Sequence, residues 1–111
     1  MRYILIDEMD SKETDAVKNH LRSLGMESNI AGLFWLPVPQ EYLEPVQAEH
    51  AAECGPHVMA LDVRENDMQL ELLVRAQGKI RCECVRYASE KLSAYMLAYI
   101  ENMAESLKIR I

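Results

Sequence analysis

From His57 to Tyr87 the chain alternates apolar and polar residues in three successive runs, and no other feature constrains the fold as strongly. His57, Met59, Leu61 and Val63 share one side of the first run. Met68, Leu70, Leu72 and Val74 share one side of the second, and Ile80, Cys82 and Cys84 one side of the third. Period two with a single apolar face is the pattern of half-buried antiparallel strands. A two-residue Glu65-Asn66 loop sets Val63 opposite Met68, Leu61 opposite Leu70 and Met59 opposite Leu72, matching faces throughout. A three-residue loop, Ala76-Gln77-Gly78 with Gly78 left-handed, then sets Val74 opposite Ile80 and Glu71 opposite Glu83.

The flanks supply the helices. Arg2–Asp7 reads as a first strand. Asp10 caps a helix with Glu13 three residues on, Val17, Leu21 and Leu24 share its apolar face, and Gly25 ends it. Leu33–Leu36 reads as a short strand stopped by Pro37 and Pro39. A long helix over 89–107 carries an apolar stripe of Leu92, Met96, Tyr99, Ile100, Met103 and Leu107. Ile109 and Ile111 alternate with Lys108 and Arg110, so the tail is expected to add an edge strand. The expected fold is an α+β two-layer sandwich over residues 1–111, one domain of four to five largely antiparallel strands. Two main helices lie on one face, in the order β-α-β-(α)-β-β-β-α.

Between Pro37 and Pro56 lie all the prolines of the chain, with Glu41, Glu44, Glu49 and Glu53 and neither lysine nor arginine. Pro45 can open a short helix running to Cys54, where Gly55 and Pro56 end it. The net charge of −6 disfavours nucleic acid and anionic membranes as partners. Asp7 and Glu8 cut off the first apolar run well short of a leader core or a membrane span, which points to a cytoplasmic protein. Three unevenly spaced cysteines make no secreted disulfide framework.

His50, Cys54, His57, Cys82 and Cys84 are the residues from which a metal site would be built. His50 and Cys54, at i and i+4, can share one zinc ion. The strand register separates the groups: Cys82 lies two strands over and two residues along from His57, roughly 12 Å away. On that geometry no metal or other cofactor is expected. Cys82 and Cys84 become core-facing residues, too far apart to bridge, and Cys54 a packing residue at a helix C-terminus, where the field opposes a thiolate. The four glycines make no phosphate loop and no serine sits in a nucleophile elbow, so whether the chain is an enzyme stays open.

The outward face of the sheet carries Val58, Ala60, Leu73 and Val85 beside Arg75 and Arg81, less polar than a solvated face. The acidic segment is expected to close over Val58, Leu73 and Arg81, in the same subunit or across a dimer, with Trp35 at its base and Tyr42 and His50 lining the cleft. Three functions are compatible with this reading. A non-enzymatic interaction or regulatory module, forming a homo-oligomer or docking a protein partner, fits best. A metal- or thiol-dependent site on His50, Cys54 and His57 is an alternative. An enzyme or binder taking a small anionic ligand at Arg75 and Arg81 is another.

Overall fold

The computed structural model describes residues 2–78 and 82–111. Strand β1 (Tyr3–Ile6) leads through a turn to helix α1 (Ser11–Ser23), where Asp10 and Glu13 form a reciprocal capping box. Strand β2 (Leu33–Pro37) is followed by a short 3-10 turn (Gln40–Tyr42) and by helices α2 (Pro45–Glu49) and α3 (Ala51–Cys54). Strands β3 (His57–Val63), β4 (Met68–Glu71), β5 (Leu73–Ala76) and β6 (Arg86–Tyr87) precede helix α4 (Glu90–Ser106), which Ser89 caps. The architecture is α+β with an antiparallel sheet, as the alternation requires.

β3 is the central strand. β2 runs along one edge, pairing Leu33 with Asp62 through Pro37 with Val58. β4 and β5 take the other edge in succession, and β1 and β6 lie outside them. The inward side of this sheet, with Phe34, Leu36, Met59, Leu61, Met68 and Leu70, packs on Val17 and Leu21 of α1 and on Leu92, Met96, Ile100 and Met103 of α4. Leu24 falls outside that core: it is the C-cap of α1 and is exposed. The C-terminal tail forms no strand, and Ile109 is instead buried against the helices.

The expected register holds for the first hairpin only. Leu61 faces Leu70 and Val63 faces Met68, but His57 faces Ala76 and Val58 faces Arg75. Leu72 leaves the ladder between β4 and β5. Its N–H donates to the Arg2 carbonyl (2.9 Å) and its carbonyl accepts from Ala88 N–H (2.7 Å), both on the side away from β3. Two extra residues are thereby accommodated opposite β3, as in the larger bulges that insert more than one residue. The next pairing moves further, with Leu73 opposite Tyr87 and Val74 opposite Arg86. Cys82 and Cys84 therefore do not lie on a strand. They belong to a turn closed by Val85 N–H donating to the Cys82 carbonyl (3.1 Å). The expected partners Ile80 and Arg81 lie outside the described residues.

Candidate metal centre

The acidic segment builds half of a site. Pro45 starts α2, and the Glu44 N–H donates to Gln47 Oε1 (2.9 Å) in a capping box. The helix breaks at His50, yet the His50 carbonyl still accepts from Cys54 N–H (2.7 Å), so one helical turn joins the two residues and sets their side chains together. The other half is the turn from Cys82 to Val85. Gly78 N–H donates to the Cys54 carbonyl (2.7 Å), which brings the end of β5 against the end of α3.

At this junction four side chains converge. His50 Nδ1 lies 2.9 Å from Cys82 Sγ and 3.8 Å from Cys54 Sγ, and the two sulfurs are 3.3 Å apart. With Cys84 Sγ included, all four donor atoms lie within 4.8 Å of one another. This overturns the expectation that the strand register keeps Cys82 apart from His50 and Cys54; the roughly 12 Å applies to His57, which is not one of the four. The physical reason is the six-residue displacement of the last pairing, which leaves Cys82–Val85 in a turn beside Cys54 instead of on a strand.

The surroundings hold the four groups in place. Gln47, buried, donates from Nε2 to the Cys84 carbonyl (3.0 Å). Arg86 pairs with Glu44 (3.2 Å), and His50 Nε2, turned away from the sulfurs, faces Glu83 Oε1 at 3.7 Å. Cys54 and Cys84 are buried with Ala76 in a small apolar cluster, while Cys82 is half-buried. Cys82 is thus not the core-facing strand residue expected. Hydrogen bonds from the Cys84 side chain, then from its backbone, Cys54 and His50, push the Cys82 thiol down to about 6. Burial, followed by its neighbours, pushes the Cys84 thiol up to about 12.

His57 stands outside the four. It is buried at the start of β3, and its Nε2 has no hydrogen-bond partner among the described residues. Burial and then the nearby His50 push its pKa below the ordinary 6.5.

The other expected site divides. Trp35, Val58 and Arg75 do come together on the outward face, in a cleft of about 540 Å³ shared with Asn29, Gln77 and Val85. Tyr42, His50 and Leu73 are not among its lining residues, and Arg81 lies outside the described ones. The acidic segment does not close this cleft by the residues expected. Tyr42 packs on Tyr95 of α4 at 4.7 Å between ring centroids, with Lys91 Nζ 5.7 Å from the Tyr42 centroid, and Glu44 pairs with Arg86. Arg75 is held by Glu71 through two hydrogen bonds (2.7 and 3.1 Å), which satisfies the charge an anionic ligand would need.

The comparisons with known proteins add no family: no family model, no curated protein and no solved structure matches the chain. Among the described residues, no helix is long and apolar enough to cross a membrane.

Proposed function

We propose that this chain is a metal-binding interaction module in which His50, Cys54, Cys82 and Cys84 hold one zinc ion in a structural Cys3His centre. The observation that carries the reading is the convergence of those four donor atoms, from two distant segments, within 4.8 Å. Tetrahedral zinc with Zn–S bonds of about 2.3 Å sets its sulfurs about 3.8 Å apart, so the ion fits once the donor separations adjust by about 0.5–1 Å. Three thiolates and one imidazole are a soft donor set that suits zinc and not magnesium or calcium. Glu83 stands where an outer carboxylate orients a ligating imidazole, and Gln47 fixes the backbone of Cys84. Four protein ligands close the coordination sphere, which is the arrangement of structural sites and not of hydrolytic ones. The ion then acts as a clasp between the acidic segment and the 82–86 turn.

Reconstitution under reducing conditions tests the reading. The expected result is one zinc per chain by elemental analysis, and a cobalt-substituted form with the visible spectrum of a tetrahedral thiolate site. Cys84→Ser and His50→Ala are expected to abolish stoichiometric binding. Protein that takes up no metal under these conditions would refute the centre.

A specific observation also favours self-association. Because Leu72 N–H donates to the Arg2 carbonyl, Arg2, Ile4 and Ile6 aim their backbone groups at β4, and Tyr3, Leu5 and Asp7 aim theirs away from the sheet. No described residue bonds to that outer edge, and Tyr3 (47 % exposed) and Leu5 (45 % exposed) flank it. The edge carries no lysine or proline to block pairing. Two copies related by a twofold through Leu5 satisfy both the hydrogen-bond and the face alternation, so β1 is the edge through which we propose a homodimer forms.

A further inference from the structure

We infer that the centre is also a redox switch of defined connectivity, in which a hydroperoxide oxidises Cys54 and Cys82 to a disulfide and expels the metal while Cys84 stays reduced. This rests on the zinc reading above and adds to it a regulated state.

Geometry selects the pair. Cys54 and Cys82 sulfurs lie 3.3 Å apart, closer than either need be for tetrahedral coordination alone. Their backbones are fixed independently, Cys54 by its helical bond to His50 and by Gly78, Cys82 by the turn to Val85. Bond formation between them requires these sulfurs to close from 3.3 Å to about 2.05 Å. Cys84 is the poor candidate. It is buried beside Ala76, and joining it to Cys82 two residues away would undo the turn whose own N–H, that of Cys84, already points at Cys82 Sγ (3.4 Å).

Access selects the order. Cys82 is half-buried, whereas Cys54 (1 % exposed) and Cys84 (0 % exposed) are shielded. The Cys82 thiolate attacks one peroxide oxygen, the O–O bond breaks, and the departing oxygen takes a proton and leaves as water or alcohol. Cys82 is then a sulfenic acid. The Cys54 thiolate attacks that sulfur, the S–S bond forms, and the S–OH bond breaks with hydroxide leaving to become water. Two electrons pass from the two sulfurs to the peroxide. Zinc, left with His50 and Cys84 alone, dissociates. The new covalent bond spans the same two segments that the ion joined, so the fold persists in both states.

The experiment uses the zinc-loaded protein, hydrogen peroxide and a chromogenic zinc chelator. Zinc release is expected to track formation of one disulfide, mapped to Cys54 and Cys82 by peptide mass spectrometry, with Cys84 alone open to alkylation. Dithiothreitol followed by zinc is expected to restore the starting state, and thermal unfolding is expected to stay cooperative after oxidation. A Cys82–Cys84 disulfide, or Cys82 carried to sulfinic acid with Cys54 still at the thiol level, overturns the switch and leaves the metal centre standing. Protein that never binds zinc overturns both. The zinc-free Cys84→Ser chain provides a check independent of metal: peroxide must still join its two remaining cysteines, and failure to do so also overturns the switch.

Discussion

Gly78 decides how closely the two halves of the proposed metal centre can approach. A Cβ on it would sit 2.8 Å from the carbonyl oxygens of both Glu53 and Gly55 and 3.0 Å from the Cys54 carbonyl carbon. These are backbone atoms and cannot swing aside. Gly78 is thus required for space, not for the left-handed bulge that the loop length suggested, since its φ is not positive. Gly78→Ala is expected to cost about 1–3 kcal/mol by overpacking and to weaken zinc binding at least tenfold in a chelator competition. Gly25→Ala is the control. Its φ is +73° with nothing within 4 Å of the added Cβ, so it should cost stability through strain and leave metal affinity alone. At this scale the sequence exposed the helical spacing of His50 and Cys54 and the pairing of cysteines at 82 and 84. Their meeting was hidden, because it depends on where a loop turns back.

The elements show why. Capping residues identify α1 from the sequence, because Asp10 and Glu13 act within one turn of where they stand, and the apolar stripe from Leu92 to Leu107 identifies α4. Alternation identifies β3, β4 and β5 for the same reason. What alternation cannot carry is the count of residues in a ladder. The displacements at Leu72 and in the last pairing are both even, two residues and six, so the paired residues of β3, β4 and β5 keep their faces and the pattern looks unbroken. Nor does alternation show that Cys82 and Cys84 leave the strand for a turn, and that turn is what assembles the site. β1 was legible as a strand but not as an edge. If that edge pairs with a second copy, Leu5→Lys is expected to shift the protein from dimer to monomer in sedentation-equilibrium or light-scattering measurements, with its melting temperature little changed. A wild-type chain that stays monomeric at high concentration removes this mode of association.

For the molecule as a whole, the buried His57 couples stability to acidity. Its folded pKa is depressed below 6.5, so in acid the unfolded chain binds a proton that the folded one refuses. The sign follows: stability is full above about pH 6.5 and declines as pH falls toward the folded value. His57→Phe removes both the titration and a buried nitrogen without a partner among the described residues. Between roughly pH 7 and pH 5 the variant is expected to lose less stability than the wild type in parallel urea titrations. Equal slopes would place His57 in water. Acid also weakens thiolate coordination, but both proteins carry that contribution, so their difference isolates the histidine.

The division of the metal centre between the acidic segment and a turn beyond β5 gives synthesis a direction. His50 and Cys54 emerge from the ribosome first and can offer only two weak ligands. Cys82 and Cys84 follow after β3, β4 and β5 have been made, and they reach Cys54 only once Gly78 has docked. If the proposed centre takes zinc, tight capture is a late event, reserved for chains whose central hairpin has already formed. A truncated or misregistered chain would then keep its thiols unligated, and exposed thiols would mark it as unfinished.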